Sequence, residues 1–293
     1  MNVSVDPRLY QARDALLNRL SSCKLCPRRC GVDRLNDRKN GYCRTGRWAG
    51  VASTFAHPGE ERPLSGWRGS GTIFFTACSL HCKFCQNYDI SRGNPSATTV
   101  DANALASIML DLQRSGVHNI NFVTPTHVIA QIIEALVIAR EKGLHLPVVY
   151  NSGGYDSLDT LRILDGLIDI YLPDFKTLSE HFAKKYLDAP NYPEVAKKAV
   201  SEMFHQVGLL KTDSKGLATS GLIVRHLVMP SQLKDTERIL QWISENCDPG
   251  VTVNVMGQYH PAYLASQYPE LKQPLHHSEY QKALALKDNI MNA

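Results

Sequence analysis

The chain has 293 residues, 43% hydrophobic and 20% charged, enough for a packed core. Its formal net charge of +4 is small and spread along the sequence, which argues against a nucleic-acid partner. No run of about eighteen apolar residues is present, so a membrane-spanning helix is not expected. Length alone is compatible with about two domains, or with one α/β barrel of larger size.

The first segment, MNVSVDPRLYQARDALLNRL, lacks the apolar core of a signal peptide and carries Asp6 and Asp14. It reads as one short helix near Pro7 to Leu20, and the expected location is the cytoplasm, where thiols stay reduced. A Gly-, Pro-, Arg- and Cys-rich stretch follows without usable period, so residues 1–70 read as a small metal-stapled module. Its basic residues Arg28, Arg29, Arg34, Arg38 and Lys39 are interleaved with Asp33 and Asp37 and read as a solvated face.

Residues 71–293 alternate extended and helical signals. Short β-branched runs stand at GTIFF (71–75), NINFV (119–123), PVVYN (147–151), IDIYL (168–172), LIVRHLVM (222–229) and VTVNVM (251–256). Nearly continuous in apolar residues, they predict parallel strands buried on both faces. Helical patterns fill the gaps: ANALASIMLDLQRSG, HVIAQIIEALVIAREKG, SLDTLRILDG, VAKKAVSEMFHQVG and KDTERILQWISENC. Gly116, Gly143 and Gly208 follow three of them as C-cap signals. The amphipathic HHSEYQKALALK predicts a closing helix. Repeated βαβ units of this kind predict an α/β fold, a closed or partial barrel of six strands.

All the cysteines but Cys247 lie between Cys23 and Cys85. In a reducing compartment that asymmetry points to metal or redox chemistry rather than disulfides. Cys23, Cys26, Cys30 and Cys43 suit a four-thiolate site, for zinc or for an iron–sulfur cluster. Zinc is the simpler occupant, since a structural role demands no electron path. Cys78, Cys82 and Cys85 follow the first strand signal, at the strand end where parallel α/β folds build active sites. Three thiolates without a fourth leave an open coordination position, which is the mark of a reactive site.

The octet Cys78-Ser79-Leu80-His81-Cys82-Lys83-Phe84-Cys85 matches the C-x-x-x-C-x-aromatic-C signature of the radical S-adenosylmethionine (SAM) superfamily. With CPRRCGVDR, HPGEERPLSGWRGSGTIFF and CQNYDIS around it, nearly the whole chain resembles uncharacterised homologues of pyruvate formate-lyase activating enzyme. The resemblance implies a partial (β/α)6 barrel and a 4Fe–4S cluster on Cys78, Cys82 and Cys85, with SAM on the fourth iron. It further implies reductive cleavage of SAM to a 5′-deoxyadenosyl radical that takes hydrogen from a substrate. That substrate is a glycine of a partner protein, or alternatively another protein, a peptide or a small molecule. The electron donor implied is a ferredoxin or flavodoxin.

By the same resemblance Phe84 packs by the adenine. Activating enzymes typically carry a Gly-Gly-Glu-Pro-like segment after the second strand, contacting the SAM amino group. This chain has Thr124-Pro125-Thr126-His127 there instead. Thr124 and Thr126 offer hydroxyl acceptors and His127 a substrate-side base, or the three cap the next helix. Asn151, before Gly153 and Gly154, is placed for the ribose. Asp174 and Lys176 resemble the Asp-x-Lys end of the fourth strand and, with His127, are the catalytic candidates. Arg225 and His226 are costly inside an apolar strand, so one of them points at the SAM carboxylate or the substrate. The polar segment Gly257–Pro261 fits a substrate wall, and Glu60 and Glu61 face either cavity or solvent. The reading from a different class is a non-catalytic zinc-binding interaction protein, which would need zinc without iron.

Overall fold

The computed structural model describes residues 5–37, 39–92 and 98–291; Arg38 lies outside them. In chain order they form α1 (Pro7–Asn18), β1 (Ala49–His57), α2 (Arg62–Ser65), β2 (Ser70–Phe75), α3 (Tyr88–Ser91), β3 (Thr98–Val100) and α4 (Ala102–Ser115). Next come β4 (Ile120–Val123), α5 (Ile129–Glu141), β5 (Val148–Ser152), α6 (Leu158–Leu161), β6 (Ile170–Pro173) and α7 (Glu180–Phe182). The remainder carries α8 (Tyr192–Val207), β7 (Lys211–Thr212), β8 (Ala218–Leu227), α9 (Leu233–Asn246), β9 (Thr252–Met256) and α10 (His277–Met291). No described helix is long and apolar enough to cross a membrane.

Strands β2, β4, β5, β6, β8 and β9 run parallel in that order, one for each apolar run of the sequence. Helices alternate with them, because a sheet whose strands are apolar on both faces must be covered on both. β5 and β6 are buried along their whole length. β9 pairs only with β8, so among the described residues the barrel does not close. The fold is therefore a mixed α/β structure with a partial barrel.

Local signals agree with this frame. Asp101 caps α4 by accepting from the Ala104 N–H at 2.8 Å. Gly116, Gly143 and Gly208, with φ of 86°, 95° and 66°, stand at or just past the ends of α4, α5 and α8. SLDTLRILDG gives only the short α6 and one 3₁₀ turn at 162–164. The helix near the C-terminus packs on α9 and β9.

The reading of residues 1–70 needs correcting in two places. First, β1 pairs antiparallel with β2 and carries β3 on its other side, so the sheet begins upstream of residue 70. Its sequence, AGVASTFAH, is half exposed at the outer end and lacks the continuous apolar run that marks its parallel neighbours. Second, the basic cluster is not one solvated face. Arg34 is only 1% exposed and donates to the carbonyls of Gly46 (3.1 Å) and His127 (2.7 Å). Arg29 and Lys39 do face solvent, paired with Asp159 and Asp37. The N-terminal helix packs on α5, which explains why α5 is buried almost all round: α4 covers it as well.

Candidate active site

The loop after β2 carries Cys78, Cys82 and Cys85, and its backbone is held from several directions. Ala77, at φ 67°, donates to the Ile90 carbonyl; His81 donates to Leu187 and Lys83 to Tyr186, both in the β6–α8 connection. Lys83 in turn accepts from Leu264 at 2.9 Å. A loop so anchored holds its thiols in place before any ligand arrives. Burial pushes the Cys78 thiol up to about 11 and the Cys82 thiol up to about 12. Uncompensated thiolates there are unfavourable, so ionised cysteines call for a bound cation.

Beside the loop, at the C-terminal ends of the parallel strands, lies a cavity of ≈ 390 Å³. Cys82, Cys85 and Phe84 line it, together with Asn151, Asp174, Lys176 and Arg225. Asn151 stands near the end of β5, Asp174 and Lys176 just past β6, and Arg225 near the end of β8, three neighbouring strands whose ends the topology gathers. Asp174 is the centre of the charge network. Its Oδ2 accepts from Lys176 Nζ at 2.7 Å and its Oδ1 from Arg225 Nε at 2.9 Å. Arg225 Nη2 donates to Asn151 Oδ1 at 2.7 Å and its Nη1 lies 3.6 Å from Glu60. Burial works against charge on Asp174, but Arg225 and Lys176 hold its carboxyl below the usual range. Burial likewise disfavours the Lys176 ammonium, yet Asp174 and Cys82 raise its pKa overall.

Phe84 is buried at the cavity wall, with Phe182 and Tyr259 rings 5.9 and 6.3 Å away. Gly154, at φ 74°, allows the chain after β5 to press against β6: a Cβ there would stand 2.1 Å from the Asp174 carbonyl. The close approach that this glycine permits is thus to the backbone that aims Asp174.

Other sequence candidates stand elsewhere. Thr126 is buried and donates to Asp156 at 2.6 Å, in a network with Tyr150 and Ser152. Thr124, at φ 63°, is half-buried and donates its N–H to the Asn151 carbonyl, outside the cavity lining. His127 is fully buried, with Nε2 on the Thr76 carbonyl at 2.8 Å. It is not among the residues that line the cavity beside the cysteine loop. Of the pair in β8, Arg225 enters the cavity while His226 turns to the other face, bonded to Phe175 and Thr236. Successive strand residues point oppositely, so only one of the two could serve.

His127 predicts a stability effect. Burial pushes its pKa down from 6.5 to about 4, so the folded chain holds it neutral. The associated stability is complete above the ordinary imidazole pKa and drains as pH falls from 6.5 toward about 4. Urea unfolding of the metal-free chain should show a loss of about 2 kcal/mol from this residue by pH 5. His127→Gln should flatten that part of the profile; an unchanged slope would remove the assignment.

Glu60 is the carboxylate whose placement the sequence left open, and it lines the cavity. Glu61 accepts from Asn254 at 2.8 Å, and its Oε2 is buried without a partner among the described residues. Gln86, Asn87 and Met256 also line the cavity; their segments carried the resemblance and a strand signal, but none of the three was named as a site residue.

The model of the radical SAM superfamily matches residues 72–213, which include the three-cysteine loop and the strands bearing Asn151 and Asp174. An uncharacterised protein of Methanocaldococcus jannaschii, MJ0674, is 35% identical across 97% of this chain and 80% of its own length. The chain belongs to the radical SAM superfamily. A solved structure of TYW1 with a lysine–pyruvate adduct bound is similar at TM-score 0.44 and 12% identity, covering 74% of this chain and 73% of that one.

Membership of the radical SAM superfamily implies SAM-dependent radical chemistry, a 4Fe–4S cluster and SAM, and an electron donor. The residues fit that pair of groups. Three thiols share one loop whose backbone is held by hydrogen bonds to Ile90, Leu187 and Tyr186, and a cluster can seat each thiolate on its own iron. The adjoining cavity presents both cations and carboxylates, as a ligand bearing an ammonium and a carboxylate requires.

Proposed function

We propose that this radical SAM protein acts on a glycine of a partner polypeptide, as the activating enzymes it resembles do. The observation that carries the reading is the cavity. At ≈ 390 Å³ it lies toward the small end of ligand pockets, about 300–1,000 Å³. A substrate then reaches the site by presenting a small group at the mouth, and a backbone glycine is such a group.

Cys78, Cys82 and Cys85 would hold the cluster, leaving one iron for SAM. When bound, these cofactors supply one-electron cleavage of a carbon–sulfur bond and hydrogen abstraction. The chain's own residues bind and orient. Lys176 and Arg225 offer cations to the SAM carboxylate, and Asp174 keeps both charged and fixed. Phe84 and Asn151, which line the cavity, would face the nucleoside. Glu60 supplies the carboxylate that the missing Gly-Gly-Glu segment would bring to the amino group.

This role for Glu60 predicts a pH dependence. Burial pushes its pKa up to about 7; Glu61 and Asp174 add to the rise and Arg225 opposes it. Ionised above that value, Glu60 attracts an ammonium; protonated below it, Glu60 does not. SAM affinity measured by equilibrium dialysis should weaken about tenfold per pH unit below about 7. Glu60→Gln should bind weakly with no such slope. A flat wild-type profile would exclude the contact.

The substrate is tested with peptides deuterated at a glycine α-carbon, incubated anaerobically with loaded protein, SAM and reductant. Deuterium in 5′-deoxyadenosine supports the proposal. Vigorous SAM cleavage that takes deuterium from another labelled protein, peptide or small molecule, and never from glycine, overturns it.

A further inference from the structure

The chain leaving β6 is held partly by a side chain from outside the sheet. The Asp174 N–H donates to the Ser152 carbonyl at 2.9 Å and the Phe175 N–H to the Arg225 carbonyl at 2.7 Å. The next N–H, that of Lys176, donates instead to Tyr192 Oη at 2.9 Å. The same oxygen lies 3.0 Å from the Gly153 carbonyl and 2.9 Å from the Asp174 carbonyl. A phenol carries one proton, so it donates to one of these carbonyls while accepting from Lys176. Burial pushes the Tyr192 phenol up, which keeps that proton in place. One hydroxyl therefore ties the turn after Asn151 to the segment that carries Asp174 and Lys176.

Tyr192 is itself fixed. It opens α8, is fully buried, and stacks on Tyr155 with centroids 6.1 Å apart and planes 18° from parallel. Tyr155 in turn donates to Asn191, the residue before α8, at 2.8 Å. Tyr192 is not among the residues that line the cavity beside the cysteine loop. Gly153, whose carbonyl it meets, lies between that loop and Lys176. A Cβ there would stand 3.2 Å from Leu80 Cδ1 and 3.6 Å from Lys176 Cε. The N-terminal cysteine group also reaches the loop: Arg28, between Cys26 and Cys30, donates to the Ser79 carbonyl at 2.9 Å. Tyr42, next to Cys43, stacks on His81 with centroids 3.9 Å apart.

We propose that Tyr192 is a positioning residue whose hydroxyl aims the Lys176 ammonium by fixing residues 174–176 against Gly153. The ammonium bonds Asp174 at 2.7 Å and lines the cavity, so a shift of its backbone turns it away from both. Loss of the hydroxyl leaves the Lys176 N–H without its acceptor, and the segment relieves that loss by moving. The inference rests on the proposed placing of the SAM carboxylate at Lys176 and is independent of the glycine substrate.

The test uses the full chain, loaded anaerobically, with SAM binding followed by electron paramagnetic resonance (EPR). Tyr192→Phe keeps the ring on Tyr155 and should bind SAM about tenfold more weakly. KM for SAM should rise while kcat for 5′-deoxyadenosine formation holds, since the hydroxyl acts on binding. Tyr171→Phe is the matched control, because its hydroxyl also joins β6 to α8, through Gln206 at 2.7 Å. It should bind SAM as wild type does. Lys176→Met should bind weakly, and Tyr192→Phe added to it should cost little more, because one residue acts through the other. Equal weakening in Tyr171→Phe, or full additivity with Lys176→Met, overturns the inference. Wild-type affinity in Tyr192→Phe beside weak binding in Lys176→Met overturns it alone. Wild-type affinity in Lys176→Met overturns the placing of SAM, and the inference with it.

Discussion

Alanine in place of Asp174 should destabilise the metal-free chain by about 3–5 kcal/mol, because it removes one partner of a buried ion network. Lys176 and Arg225 both bond this carboxylate, and the side chains of all three are 20% exposed or less. Without it two cations face each other near β6 and β8, with Arg225 left to Asn151 and the more distant Glu60 and Glu61. Asp174→Asn keeps the shape and one acceptor, so it should lose less. Urea unfolding at pH 7 is the measurement, and a loss below about 1 kcal/mol for the alanine variant would mean the network is solvated rather than buried. SAM affinity should fall in both variants, since the cations facing the cavity lose the group that aims them.

Alanine in place of Cys82 should abolish formation of 5′-deoxyadenosine while leaving the fold intact. The loop does not depend on the thiol for its shape. Lys83 still donates to Tyr186 and accepts from Leu264, and His81 still donates to Leu187. Circular dichroism should match wild type, whereas iron at this site and the SAM-sensitive EPR signal should vanish. Product formation equal to wild type would show that cleavage of SAM does not pass through this loop.

Those two residues represent two kinds of legibility. Cys82 is visible because metal ligation imposes a local spacing, and a spacing survives in one dimension. Asp174 is visible only in part. Its position at the end of an apolar run marks it, but its partnership with Arg225 is a pairing across 51 residues that register alone creates.

The six parallel strands were readable because a strand buried on both faces must be apolar throughout, which is a local property. β1, β3 and β7 were not: they are antiparallel, short or partly exposed, so polar residues interrupt their pattern. Glu60 stayed ambiguous for the same reason, since the strand that delivers HPGEE to the cavity was itself unseen. Thr126 and His127 show the converse. Their place after a strand suggested a site, yet buried partners at Asp156 and Thr76 claim them.

The amino-acid sequence by itself determined the strand count of the parallel sheet, the positions of the two cysteine groups and the superfamily, since periodicity and ligand spacing are set by neighbours along the chain. Tertiary structure alone decided which charged side chains share the cavity, which face of β8 is presented to it, and that Tyr42 and His81 bring the cysteine groups together. Each of these depends on contacts between residues far apart in sequence, where packing and strand register select among arrangements that local chemistry leaves equal.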